Sequence, residues 1–288
     1  MGLITIGNEV LSAGIHPFGA ELRSLYHRQH RLEYIWQAGP AWPKHSPLLF
    51  PIVGELKNKR YLYNGNEYTL PRHGFARERL FTLQHQDRQK AVFQLSDDAE
   101  TQNVFPFRFL LDTTYSLSEE VLTISYDIYN RGDGDMYFSI GAHPAFRVPL
   151  DVRDGREDHF IRFSNAEKSG RWKLEQGLLN GEAQAFLEGC ELPLTAELFE
   201  EDAIVLKGLQ SDRVSLLSHR HGHGVEVDTH QAPYLGLWAA TGGDFVCIEP
   251  WQGIADSTAS SGLLEEKEGI LRLPPKATHT FEWSIKVF

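Results

Sequence analysis

The chain has 288 residues, 41% of them hydrophobic, which is enough for a sizeable core, and no apolar run approaches the ~18 residues a membrane helix needs. Its 28 lysines and arginines stand against 39 acidic residues, a formal charge of −11 with neutral histidines, so nucleic acid and anionic membrane surfaces are both poor partners. Two cysteines, Cys190 and Cys247, are too few for a disulfide framework, and the opening MGLITIGNEVLSAG lacks the basic stretch and long apolar core of a secretory signal; a cytoplasmic location is expected.

Taken along the chain, the dominant pattern is period-two alternation, the mark of half-buried strands. Asn64-Gly65, between Tyr61-Leu62-Tyr63 and Glu67-Tyr68, predicts a hairpin, because a type I′ turn needs positive φ at both positions. A short helical turn is expected around Asn103. Phe107, Phe109, Leu111 and Tyr115 then share one face of a strand, and Leu122, Ile124, Tyr126 and Ile128 share a face of the next. Arg131-Gly132-Asp133 sits in ordinary turn chemistry within residues 130–135. The histidine-rich stretch HRHGHG, 219–224, joins Val214–Leu217 to Val225–Val227 and predicts a mobile hairpin tip; no Asp or Cys at a matching spacing completes a tetrahedral metal set with His221 and His223, so a polar loop without metal is expected. A second short helical turn is expected at 263–268. Near the C-terminus Phe281, Trp283, Ile285 and Val287 alternate with polar residues. Strands continue throughout and no Pro/Gly/Ser linker divides the chain, which predicts an all-β protein of large packed antiparallel sheets, with little helix and residues 1–288 in one domain.

Four polar stretches interrupt this pattern. The basic run Lys57-Asn58-Lys59-Arg60 would suit a phosphate, though such a run in isolation is more often a solvated loop. PRHGFARER, 71–79, sets His73 and Arg77 around a glycine and a phenylalanine. SIGAHPAF, 139–146, puts His143 in an apolar run, where another Ile or Phe would fit the pattern. DFVCIEPWQGIADS, 244–257, ends the run Phe245–Ile248 on Glu249, a costly residue in a buried strand unless paired, with Pro250 expected to stop ladder pairing directly after it. Each of the last three alone reads as a satisfied core group. All three together, with Phe75, Phe146 and Trp251 nearby, read as the lining of a cleft.

The ordered set LLFPIVGELK, PRHGFAR, GAHPAF, LFEEDAIV and VCIEPWQGIAD resembles the aldose 1-epimerase, or galactose mutarotase-like, family, and within it the LacX-like branch, from near residue 17 to the C-terminus. The resemblance implies a β-supersandwich and a small-molecule sugar as partner, a hexose either free or phosphorylated, with no metal and no organic cofactor. It implies His143 as general acid, Glu249 as general base, and His73, Arg77, Asp202 and Trp238 as groups touching the sugar. Galactose mutarotases proper place Asn before the acid histidine and an aromatic soon after it, where this chain has Ala142 and Pro144. They also carry an arginine near the segment aligned with 54–57, where this chain has Glu55, with Lys57 as the nearest positive charge.

The residues agree with that chemistry. Interconverting two anomers of a cyclic sugar takes a proton from the C1 hydroxyl and gives one to the ring oxygen, which one base and one acid can do without a nucleophile, metal or redox cofactor. An imidazole near pKa ~6.5 and a carboxylate near ~4.3 suit those roles. Two alternatives stand beside this reading. A glycoside hydrolase needs a second carboxylate facing the scissile bond, for which Asp202 and Asp256 are candidates. A non-catalytic carbohydrate-binding or regulatory protein would keep the cleft without needing the acid–base pair.

Overall fold

Alternating side chains make the strands, and the strands pair as the alternation demands. In the computed structural model, which describes residues 2–288 (the side chain of Ala196 apart), Phe109–Ser118 and Val121–Asn130 form a long hairpin with Leu111 opposite Ile128 and Tyr115 opposite Ile124. Thr278–Val287 adds on the other side, setting Trp283 opposite Ile124 and Phe281 opposite Tyr126. The inward residues of all three strands are buried while Thr280, Glu282 and Lys286 are exposed. Burying side chains of this size is worth about 1.5–3 kcal/mol each, so the alternation fixes the register.

These strands belong to a fifteen-stranded antiparallel sheet. Its outer half runs from Thr82–Gln86 through the long hairpin and Thr278–Val287 to Val225–Asp228 and Arg213–Ser218. Its other half holds Ile204–Lys207, Tyr234–Trp238, Phe245–Gln252, Ile140–Ala142 and Leu48–Leu49. His159–Glu175 joins the two halves. Residues 159–163 pair with Arg213–Ser218, the register against Leu178–Pro193 then shifts, and Trp172 meets Val205 in the other half. A separate four-stranded sheet covers Ile4–Gly7, Leu11–His16, Glu21–His27 and Leu32–Glu33. Between the layers Phe50 contacts Phe75, Phe105, Phe109 and Phe138.

The local expectations hold. Asn64 and Gly65 take φ of 47° and 74° between Arg60–Tyr63 and Asn66–Thr69. Helix is confined, among the described residues, to Ala99–Val104, capped by Asp98 and Thr101, and to single turns including Leu264–Glu266. No helix among these residues is long and apolar enough to cross a membrane. Pro250, however, does not end its strand. It lies opposite Leu235, and the ladder continues to Gln252, with Trp251 paired to both Tyr234 and Gly141. Glu249 is therefore inside a strand buried on both faces, because the missing proline N–H costs one bond rather than the whole pairing.

Candidate active site

Segments far apart in sequence converge on one cavity of about 270 Å³. Glu249 comes from Phe245–Gln252 and lies opposite Gly236. His143 stands between the short strands Ile140–Ala142 and Ala145–Arg147, where Pro144 interrupts the ladder. The gap is stitched by His143 N donating to the Pro47 carbonyl (3.1 Å) and by Ile248 N donating to the Pro144 carbonyl (3.3 Å). His73 takes φ +66°, ahead of Gly74 at +70°. A side chain at Gly74 would collide with the Phe50 carbonyl, so glycine is required there and the chain turns sharply enough to aim His73 inward. Reciprocal bonds hold the turn: His73 N donates to the Gly54 carbonyl (2.9 Å), and Gly54 N donates to His73 Nδ1 (3.1 Å). Since that Nδ1 accepts, the neutral ring carries its proton on Nε2.

All six residues expected at the site, His73, Arg77, His143, Asp202, Trp238 and Glu249, line this cavity. His143 Nε2 lies 3.3 Å from Glu249 Oε2. The angle is wrong for a hydrogen bond, and neither Glu249 Oε2 nor His143 Nδ1 has a partner within the chain. The Trp42 indole stacks on the His143 ring at 5.0 Å, and Trp238 and His73 meet the same ring edge-on at 5.7 Å. Three aromatic rings thus shield one imidazole from water.

Burial dominates the electrostatics. It pushes His143 down to about 3, helped by the Arg77 and Lys44 charges, and holds His73 well below the usual imidazole value, with His143 and Arg77 adding to the effect. It pushes the Glu249 carboxyl well above the carboxylate range; the neighbouring Trp251 indole opposes this and Asp202 reinforces it. Burial thus favours the neutral form of both groups. Cys247 is buried beside both groups, and burial raises its thiol further.

Several lining residues escaped the sequence reading. Trp42 lies in a Gly/Pro-rich loop with no strand pattern to orient it. Arg72 pairs with Glu55 at 3.1 Å, leaving Glu55 Oε1 buried and unpartnered at the rim. The basic run is elsewhere: Lys57 Nζ donates to the Ser260 carbonyl (3.0 Å), Arg60 pairs with Glu67 (2.8 Å), and none of Lys57, Lys59 and Arg60 lines the cavity. Asp256 is also not a lining residue. Its carboxylate accepts from Lys57 N (2.9 Å) and from the buried Lys267 Nζ (3.0 Å). The loop at 219–224 differs most from expectation. Its His221 is largely covered, with Nε2 2.9 Å from Asp154 Oδ2.

This fold, with its cleft on the half of a long antiparallel sheet that holds Tyr234–Trp238 and Phe245–Gln252, is that of the galactose mutarotase-like proteins. The galactose mutarotase related enzyme of Lactobacillus acidophilus superposes with a TM-score of 0.95 at 33% identity, over 99% of this chain and 97% of that one. A galactose mutarotase-like protein from Lactobacillus casei gives 0.94 at 29% identity over all of both chains. The aldose 1-epimerase family profile matches residues 2–262, and the plasmid and chromosomal LacX proteins of Lactococcus lactis subsp. lactis are each 33% identical over 296 residues, 99% of either chain. The chain belongs to the aldose 1-epimerase family.

Proposed function

We propose that the protein interconverts the α and β anomers of an aldohexose or a related sugar by acid–base ring opening, working in the cytoplasm without a metal in the cleft. The observation that carries this reading is the His143–Glu249 pair: two buried, unpartnered titratable groups 3.3 Å apart and facing one cavity. Glu249 takes the proton of the C1 hydroxyl while His143 gives a proton to the ring oxygen. The bond from C1 to the ring oxygen breaks, C1 becomes an aldehyde, rotation about C1–C2 presents its other face, and the two transfers reverse on closure.

The chemistry needs one proton on the pair. With that proton on His143 the pair is ionic and can act on the cyclic sugar. With it on Glu249 the pair is neutral, and this is also the state that ring opening leaves behind. A dry, low-dielectric cleft favours the neutral arrangement, so burial works in the direction of opening. His73, Arg77, Asp202 and Trp238 hold the sugar. Aromatic faces such as Trp238 and Trp42 suit the apolar face of a pyranose, and the charged groups suit its hydroxyls.

The test is anomer exchange followed by NMR, with Glu249→Gln and His143→Asn. General acid–base groups contribute ~10²–10⁴-fold, so each variant is expected to lose turnover on that scale with a smaller change in KM. Near-wild-type exchange by either folded variant would refute the assignment. Binding without exchange in the wild type would favour a carbohydrate-binding protein, and glycoside cleavage a hydrolase.

A further inference from the structure

Away from the cleft, the fold gathers a second group of polar side chains. His159 opens the strand His159–Glu175 and lies opposite Ser218, the last residue of Arg213–Ser218. That register brings the loop carrying His221 against the segment carrying Asp154, and His219 N donates to the Asp158 carbonyl (2.9 Å) to fasten the two together. One carboxylate oxygen of Asp154, one nitrogen of His159 and one of His221 all lie within 4.8 Å of one another, and His221 Nε2 is 2.9 Å from Asp154 Oδ2.

Three features distinguish this cluster from a salt bridge. His159 is fully buried and its Nδ1 is 3.0 Å from the Gly155 carbonyl. A carbonyl only accepts, so Nδ1 carries the proton and Nε2 presents a bare lone pair, which has no partner within the chain. That lone pair shares a covered space with a carboxylate, a repulsive arrangement unless a cation lies between them. Secondly, His221 Nε2 also lacks an aligned hydrogen bond despite its closeness to Asp154. Thirdly, the surroundings have the form of a metal site's supporting shell. The Gly155 carbonyl orients His159, Ser218 Oγ donates to Asp154 Oδ2 (3.1 Å), and Arg220 Nε stands 3.4 Å from Asp154 Oδ1.

We propose that Asp154, His159 and His221 form a binding site for a late first-row divalent cation, with zinc as the natural probe. Two imidazoles and one carboxylate suit zinc and its neighbours over calcium or magnesium. Tetrahedral zinc with ligands at ~2.0–2.1 Å separates its donor atoms by about 3.3 Å, close to the spacing between His221 and Asp154. Three protein donors leave the fourth position open. Two features moderate the affinity. The Arg220 charge is near, although it is 60% exposed and can swing outward. Loading also moves the His221 proton to Nδ1, at the cost of its 3.2 Å contact with His223 N. The bound ion would tie the segment around Asp154 to the 213–228 hairpin. Arg156, in the same segment, donates to the Gly243 and Phe245 carbonyls (3.0 and 3.2 Å), at the start of the strand that carries Glu249.

The test is zinc titration of the full chain by calorimetry after chelator dialysis, with the melting temperature read in parallel. One saturable zinc per chain is expected, with a rise in Tm on the order of 5 °C at excess zinc. His221→Ala and Asp154→Asn should each weaken binding at least tenfold and abolish the Tm rise, while His223→Ala and His143→Asn keep both, and anomer exchange by His221→Ala stays at the wild-type rate. A zinc-edge anomalous peak in a soaked crystal should lie within bonding distance of the three donors. No saturable binding below millimolar zinc, unchanged binding in His221→Ala, loss in folded His143→Asn, or a peak at His143, Cys247 and Glu249 would each overturn the assignment.

Discussion

Replacing Glu249 by Gln should make the protein more stable as well as inactive, by an amount that depends on pH. Glu249 is 1% exposed, and burial raises its carboxyl well above the ordinary value of 4.5. A group whose pKa is raised on folding contributes stability that is complete below its unfolded pKa and is lost as the pH climbs toward the folded one. The wild type therefore loses stability, relative to a neutral isostere, by up to about 1.4 kcal/mol per pH unit across that window. From pH 5 to pH 7, both above the ordinary value of 4.5, that slope sets an upper limit on the order of 2–3 kcal/mol. For a chain of this length that is a widening of the Tm gap by roughly 5–10 °C. Thermal melts of wild type and Glu249→Gln at both pH values, with anomer exchange measured on the same samples, provide the assay. A Tm gap that stays constant between pH 5 and pH 7 would mean that Glu249 is not a buried, high-pKa carboxyl, and the proton inventory of the pair would fall with it.

The pH profile of kcat/KM should be bell-shaped, with the limbs belonging to the pair rather than to unperturbed groups. The acid limb is expected far below 6.5, because His143 is pushed down to about 3, and the alkaline limb should reflect the raised carboxyl and vanish in Glu249→Gln; an alkaline limb near 6.5 that moves in His143→Asn would refute this. Lys267→Met should cost about 3–5 kcal/mol, since it strands the Asp256 carboxylate that anchors Lys57 N and removes the donor to the Ile254 carbonyl beneath the cleft; adding Asp256→Asn should restore part of the loss, and strictly additive Tm changes would contradict the coupling. The whole chain should unfold in one cooperative transition as a single domain, and two resolved calorimetric peaks would rule that out.

Much of this architecture is legible in the sequence because alternation is a local signal. Phe109, Leu111 and Tyr115, or Phe281, Trp283 and Ile285, announce their buried face without reference to any partner strand, and Asn64-Gly65 announces its turn. The cleft residues are legible for a related reason: His143 and Glu249 are polar where the local pattern demands an apolar group. What stays hidden depends on pairing between distant segments. Trp42 is unremarkable until the Ala145–Arg147 region brings it against His143, and Asp154 acquires a meaning only through the His159–Ser218 register. Reading Pro250 as a strand end fails similarly, because whether a missing N–H matters depends on which neighbour would have received it.

Unsatisfied polar atoms complete the case for the cleft as a binding site. Leaving a buried donor or acceptor without a partner costs about 1–3 kcal/mol, so folded chains keep few of them. Here Glu55 Oε1, Arg77 Nε, His143 Nδ1, Glu249 Oε2 and Trp251 Nε1 all lack a partner within the chain, and all five belong to residues lining one cavity. They offer both donors and acceptors, spread around walls that include the indoles of Trp42, Trp238 and Trp251. A cleft that only needed to be stable would neutralise these groups against one another, as Asp256 and Lys267 do a few residues away. A pyranose carries the complementary set, hydroxyls that both give and accept hydrogen bonds around an apolar face. The stability given up at these five atoms would be recovered on binding such a ligand, and two of them, on His143 and Glu249, stand where the proposed chemistry would open its ring.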